Sequence, residues 1–298
     1  MTTVVDVILD AAATLREAGV DTPEHDAKLL LAEARGRELR DVDKAMLMGD
    51  EWGPDADADA RFAGMIARRA KREPLQYIVG HAPFRYLDLE VGPGVFIPRP
   101  ETETVVQAGI DWLTRNRIAT PRVVDLCAGS GAIGLSVVTE VRGAQVWAVE
   151  LSPDAYRWTE RNRELVARKD PLAGYNYTLE QGDATSPLTL PQLDGTIDLV
   201  ITNPPYVPLS EIPEQPEVRD HDPDLALYGG SADGVLIPER IIERAAKLLR
   251  PGGALVMEHD ISQGDRLVAF ARANGFAEAH TENDWTGRPR YLFAERYT

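Results

Sequence analysis

The sequence holds one cysteine, Cys127, among 298 residues, so no internal disulfide can form and a reducing compartment is expected. No stretch approaches the roughly 20 apolar residues that a membrane helix needs, and the opening residues MTTVVDVILD carry Asp6 and Asp10 where a leader would carry base. A cytoplasmic protein with no membrane contact is the expectation. Base is scarce too: 32 Lys and Arg stand against 48 Asp and Glu, and a net charge of -16 repels nucleic-acid phosphates at long range. Direct nucleic-acid binding is therefore not expected. The histidines and the lone cysteine show no metal-ligand spacing, and nothing marks an obligate assembly, so a metal-free monomer is expected. With 44% hydrophobic and 27% charged residues, the chain reads as globular and long enough for two domains.

Residues 1–82 read as helices only, a small N-terminal domain. Val4, Val7, Ile8, Ala11, Leu15 and Ala18 recur at helical spacing before Gly19. Thr22-Pro23 opens a second helix with Ala27, Leu30, Leu31 and Ala34 on one face and Gly36 at its end. A third runs from Asp55 through Met65 and Ile66. Its far end gathers Arg61, Arg68, Arg69, Lys71 and Arg72 in twelve residues without an acid. Such a run is either a solvated face or a docking patch for a protein partner.

Between residues 83 and 102 the apolar period shifts to two in FRYLDLEV, which predicts a β-hairpin linker, followed by the proline-bracketed turn IPRPETE. From 103 to 298, short apolar runs alternate with helical patterns: VVDLC, VWAVE, YTLEQ, IDLVITN, GALVMEH and RYLFAER. That alternation predicts a doubly wound, mostly parallel α/β sheet with helices on both faces. The last run is expected as an antiparallel edge strand.

In VVDLCAGSGAIG, Gly129, Gly131 and Gly134 follow the first strand and open a helix, the arrangement in which a backbone turns sharply and a ligand approaches closely. Glu150, closing the second strand, sits where an acid would hold ribose hydroxyls. The pattern alone fits NAD, FAD or S-adenosylmethionine. Asp125 beside the loop would repel a pyrophosphate and suits a cationic ligand better. Asp183, after the third strand, is placed for an adenine amino group, or else is a turn residue.

The segment Ile201-Thr202-Asn203-Pro204-Pro205-Tyr206 follows the apolar strand IDLV, where the carboxyl ends of strands form the ligand crevice of an open α/β sheet. Two prolines remove two N–H donors and leave carbonyl acceptors, and Asn203 adds a side-chain acceptor. A site rich in acceptors suits a planar substrate –NH2: the Asn203 oxygen and the Pro204 carbonyl can take both hydrogens. Tyr206 offers a ring face to a sulfonium, at about 1 kcal/mol of cation–π attraction.

Taken together, DAKLLL, REPLQYIVG, FIPRPETE, DLCAGSGAIG, NPPYV, EVRDHDPDLALYGGSADG, LRPGGALVMEH and Gln263-Gly264 make the chain resemble, over almost its whole length, the peptide chain release factor glutamine methyltransferases, within the class I S-adenosylmethionine-dependent methyltransferases. The resemblance implies a seven-stranded methyltransferase sheet joined by the hairpin to a helical substrate-recognition domain. It implies methylation of the side-chain amide nitrogen of the glutamine in a Gly-Gly-Gln tripeptide of translation release factors, with S-adenosylhomocysteine as coproduct. Carried over by position, Cys127, Ala128, Gly129, Ser130 and Gly131 match the cofactor loop, Glu150 the ribose contact, and Asp183 with Ala184 the adenine region. Asn203, Pro204, Pro205 and Tyr206 match the amide clamp, and Asn203 also borders the cofactor; Phe96 is expected at the pocket entrance. The sequence departs from the family at Cys127 and Ala128, where Gly and Thr are common, at Asp260 after Glu258-His259, and at Ala184, where some members carry an aromatic. A sister enzyme acting on a large-subunit ribosomal protein shares NPPY and the second half, and the PRPETE loop favours a release factor as substrate. An adenine-N6 nucleic-acid methyltransferase conflicts with the acidic charge, and a non-catalytic translation-factor binding module would not need Asp125, Glu150 and Asn203 together.

Overall fold

The computed structural model describes residues 2–297, which divide into two compact units. One runs up to His81 and also takes in Pro213–His221; the other is Ala82–Ile212 with the chain from Asp222 onward.

The smaller unit packs α1 (Val4–Glu17), α2 (Pro23–Arg35), α3 (Leu39–Met48), α4 (Ala56–Arg69) and α5 (Leu75–Val79) around Ile8, Leu15, Leu30, Leu31, Phe62 and Ile78. Helix starts are locally encoded: the Thr3 hydroxyl accepts the Asp6 N–H while Asp6 takes the Thr3 N–H, and Asp55 accepts the Ala58 N–H. Helix α3 was not foreseen, because only Val42 of its ten residues is buried while Leu47 and Met48 face solvent, so no apolar stripe marks it.

The basic run at the end of α4 proves to be neither a free patch nor a simple solvated face. Arg68 pairs with Glu73 through two hydrogen bonds, buried Arg69 pairs with Asp26 and Glu217, and Arg72 makes a two-pronged pair with Glu217. Arg69 and Arg72 bind Pro213–His221 into the helical unit, and together they hold the Glu217 carboxyl at about 2 despite its partial burial.

In the larger unit the hairpin β1 (His81–Phe84) and β2 (Leu87–Glu90) buries Phe84 and Leu89 in the main core. Residues 83–102, expected as a linker, are thus built into this unit. The seven-stranded sheet comprises β3 (Arg122–Leu126), β4 (Gln145–Glu150), β5 (Tyr177–Gln181), β6 (Ile197–Thr202), β7 (Leu249–Glu258), β8 (Phe276–Asn283) and β9 (Pro289–Arg296), ordered β5-β4-β3-β6-β7-β9-β8. The first five in chain order pair in parallel, and β9 is antiparallel to both β7 and β8. All six residues of β6 are buried, as a central strand covered on both faces requires.

The expected edge strand is a correction. RYLFAER lies inside the sheet between β7 and β8, and Tyr291–Ala294 are buried in succession, the mark of an interior strand. The edge is β8, FAEAHTEN, whose mixed, mostly exposed residues hid it from the sequence reading.

Candidate active site

Parallel register brings the functional segments to one level. Leu126 is opposite Val149 on one side and Thr202 on the other, and Thr202 is opposite Met257. The residues that follow, Cys127, Glu150, Asn203 and Glu258, therefore leave neighbouring strands side by side at the carboxyl edge, where this fold opens its crevice. A cavity of about 300 Å³ lies there, within the larger unit.

One wall is the glycine turn between β3 and the helix Ala132–Glu140. Gly129 N–H donates to Glu150 Oε2 at 2.7 Å, and Ser152 N–H donates to Glu150 Oε1 at 2.7 Å. Thr159 and Asn162, from the helix Pro153–Lys169, hold the Gly129 and Ser130 carbonyls. At Gly131, with φ of 84°, a Cβ would come within 2.8 Å of Leu135, and at Gly134 one would strike Tyr177, Asp125 and Val146. Cys127 adopts φ of 73°, a conformation that glycine takes without strain. The N–H groups of Cys127 and Ala128 both donate to the Val149 carbonyl, so neither is an amide donor for a ligand.

Cys127, Ala128, Gly129, Ser130, Glu150, Asp183, Ala184 and Phe96 all line the cavity; Gly131 and Asp125 stand behind it. Asp125 is the larger departure from expectation. It is fully buried, accepts the Gly134 N–H at 2.9 Å, and burial pushes its carboxyl up to about 7. Its work is to anchor the helix start, and the acids that line the cavity are Glu150 and Asp183. Asp183 is exposed and its Oδ1 is occupied by the N–H and hydroxyl of Thr185, so the turn role weighed for it is realised in part. Arg99 stacks over the Phe96 ring and pairs with Asp222 at 2.6 Å, which fixes the entrance loop.

The other wall is Asn203–Tyr206. Asn203 Nδ2 donates to Thr102 Oγ1 at 3.3 Å, which commits its nitrogen to the protein and leaves Oδ1 as its acceptor. Thr102, in the helix Thr102–Arg115, donates to Glu258 Oε2 at 2.7 Å, and Tyr206 Oη donates to Glu258 Oε1 at 2.9 Å. Burial raises the Glu258 carboxyl above its ordinary value and raises the Tyr206 phenol as well. Gln263 Nε2 holds the Tyr206 carbonyl at 2.8 Å. The GGSADG segment braces the same loop from outside: Val207 exchanges backbone hydrogen bonds with Leu227 and Gly229, and a Cβ at Gly234 would lie 2.1 Å from the Tyr206 oxygen. Buried His259 bonds to the Asp260 carbonyl and Thr281, and burial lowers its pKa, so it is a neutral structural residue.

Thr102, Glu258 and Gln263 were missed as site residues, although an acid closing an apolar strand, as in VMEH, repeats the signal of Glu150. The cavity's chemistry also tests the cofactor class. Its charged lining residues are Glu150 and Asp183, and no Lys or Arg lines it among the described residues. A dinucleotide's phosphates would meet like charge, whereas a sulfonium and an ammonium meet acid and carbonyl oxygen. A cationic nucleoside fits.

Curated relatives match this chain over nearly its full length. Residues 6–80 match the family model described as PrmC N-terminal domain, and residues 76–216 match one described as Conserved hypothetical protein 95. A release factor glutamine methyltransferase of Bifidobacterium longum is 72% identical over 98% of this chain and 99% of its own. One of Streptomyces coelicolor is 45% identical over 97% and 96%. A solved protein-(glutamine-N5) methyltransferase (release factor-specific) from Alicyclobacillus acidocaldarius, 23% identical, aligns over 70% of this chain and 99% of that one with a TM-score of 0.41.

Proposed function

Because the chain belongs to the family of release factor glutamine methyltransferases, we propose that it transfers a methyl group from S-adenosylmethionine to the side-chain amide nitrogen of the glutamine in the Gly-Gly-Gln tripeptide of translation release factors. The observation that carries this reading is that the acceptor-rich Asn203–Tyr206 wall and the glycine turn with Glu150 line one cavity. Glu150, Ala184 and the backbone of Cys127 through Ser130 would hold the cofactor, which when bound supplies an electrophilic methyl carbon on its sulfonium.

The chain's own part is positioning. Asn203 Oδ1 and the Pro204 carbonyl accept the two hydrogens of the substrate carboxamide, fix its plane and aim the nitrogen density inward. Orientation of this kind is worth roughly 7–11 kcal/mol of barrier in favourable cases. Pro205 keeps the loop rigid without adding a donor, and Tyr206, its hydroxyl turned to Glu258, gives the cavity its ring. No strong base is needed, since the methylated nitrogen is acidic and gives its proton to these oxygens or to water. We assign substrate recognition outside the tripeptide to the helical unit, but through surfaces other than Arg68, Arg69 and Arg72, which are internally paired.

The test is incubation of the protein with purified release factor and labelled cofactor, followed by mass mapping. Label on the tripeptide glutamine supports the reading, and label on any other residue, or on a ribosomal protein alone, overturns it.

A further inference from the structure

Three polar side chains and one carboxylate form a continuous chain behind the proline wall: Asn203 Nδ2 to Thr102 Oγ1, Thr102 Oγ1 to Glu258 Oε2, and Tyr206 Oη to Glu258 Oε1. Glu258 is 2% exposed and Thr102 3%, so water does not compete for these bonds. A hydroxyl has one proton. That of Thr102 is given to Glu258, so Thr102 can only accept from Asn203, and the Asn203 nitrogen must turn toward it.

We propose that Glu258 is a positioning residue for methyl transfer: by accepting at both oxygens it sets the direction of every hydrogen bond in the chain and thereby presents the Asn203 oxygen, not its nitrogen, to the substrate. This rests on the functional reading above. The carboxylate reaches no reacting atom; it acts through Thr102 and Tyr206. Its surroundings are Arg290, which favours the charged form, and Glu101, which opposes it.

Replacing Glu258 with glutamine keeps the shape and adds one donor to the chain. If that donor faces Thr102, the Thr102 proton is freed to bond the Asn203 oxygen, the amide turns over, and an –NH2 meets the substrate –NH2. If it faces Tyr206, the phenol proton is displaced. In the first arrangement a donor appears where the substrate needs an acceptor; in the second the Tyr206 phenol loses its acceptor and the proline wall loses that anchor.

The experiment measures methylation of purified release factor by the full-length parent, Glu258→Gln, Thr102→Ser and Thr102→Val, with cofactor affinity by calorimetry and melting temperature for each. Failure of the parent to methylate glutamine would sink the functional reading, and the comparison of variants is then moot because the inference falls with it. With an active parent, Glu258→Gln is expected to lose at least 30-fold in kcat while KM for release factor and cofactor affinity stay within threefold. Thr102→Ser should stay within threefold of the parent, and Thr102→Val should lose tenfold or more in kcat. A folded Glu258→Gln with kcat within threefold of the parent overturns the inference and leaves the functional reading standing. Should Glu258→Gln not fold, the Thr102 pair decides: equal kcat in the serine and valine variants overturns it, and a tenfold gap supports it.

Discussion

The two walls of the cavity are each anchored by acids at strand ends, yet they are gripped by different atoms. On the glycine side the loop is held by its own amides, Gly129 N–H on Glu150 and Gly134 N–H on Asp125. On the proline side, Pro204 and Pro205 have no N–H to give, and Glu258 grips hydroxyls, those of Thr102 and Tyr206. A loop built to present acceptors has to be anchored through side chains. The two walls should therefore fail differently, the first in binding and the second in turnover.

The sharpest contrast is Asn203→Ala, expected to cut kcat by 100-fold or more, on the scale of one lost preorganised polar contact, while cofactor affinity by calorimetry stays within tenfold. Near-normal turnover would remove Asn203 from the mechanism. Glu150→Ala is its mirror image. It strips the partner from two loop N–H groups as well as a ribose acceptor, so cofactor Kd should rise at least tenfold, about 1.4 kcal/mol, with kcat at saturating cofactor down less than fivefold; the reverse pattern would erase the distinction between the walls.

Asp125 gives a pH signature. Its carboxyl lies at about 7 in the folded protein, above its ordinary value, because burial disfavours the charge. The native state then holds the proton more tightly than the unfolded chain, so the contribution is fully present below about pH 4 and is lost as pH rises toward 7. Asp125→Asn should gain on the parent by up to about 3 kcal/mol between pH 5 and pH 8, read by urea unfolding at both values. A gap that does not change with pH would mean that Asp125 does not hold the proton. The smallest effect belongs to Cys127→Gly. Relief of a left-handed non-glycine backbone and the greater entropy of glycine in the unfolded chain are each about 1 kcal/mol and opposed, so the melting midpoint and cofactor affinity should hardly move. A large loss of either would assign the thiol a role.

Much of the site could be read in advance because its residues are contiguous. Glycines after a strand and Asn-Pro-Pro-Tyr after another announce a turn and an acceptor-rich loop by composition alone. The residues that escaped, Thr102 and Glu258, are 156 positions apart and meet only through the sheet register. Asp125 was misread for a related reason: its position in the sequence places it next to the loop, but the strand's alternation turns its side chain behind the turn, where burial acts on its charge. The basic run of α4 was misjudged because its partners, Asp26 and Glu217, lie 43 and 148 residues from Arg69.

Local chemistry in the chain, periodicity, glycine and proline placement and the acid closing β4, was sufficient to determine an α/β sheet with an acidic, donor-poor crevice and the contiguous segments that line it. What only the tertiary structure decided is the direction of the hydrogen bonds and the state of the charges. Those depend on which groups are brought together across the sheet and on how far water is excluded from them, and neither burial nor long-range pairing is a property of any single segment.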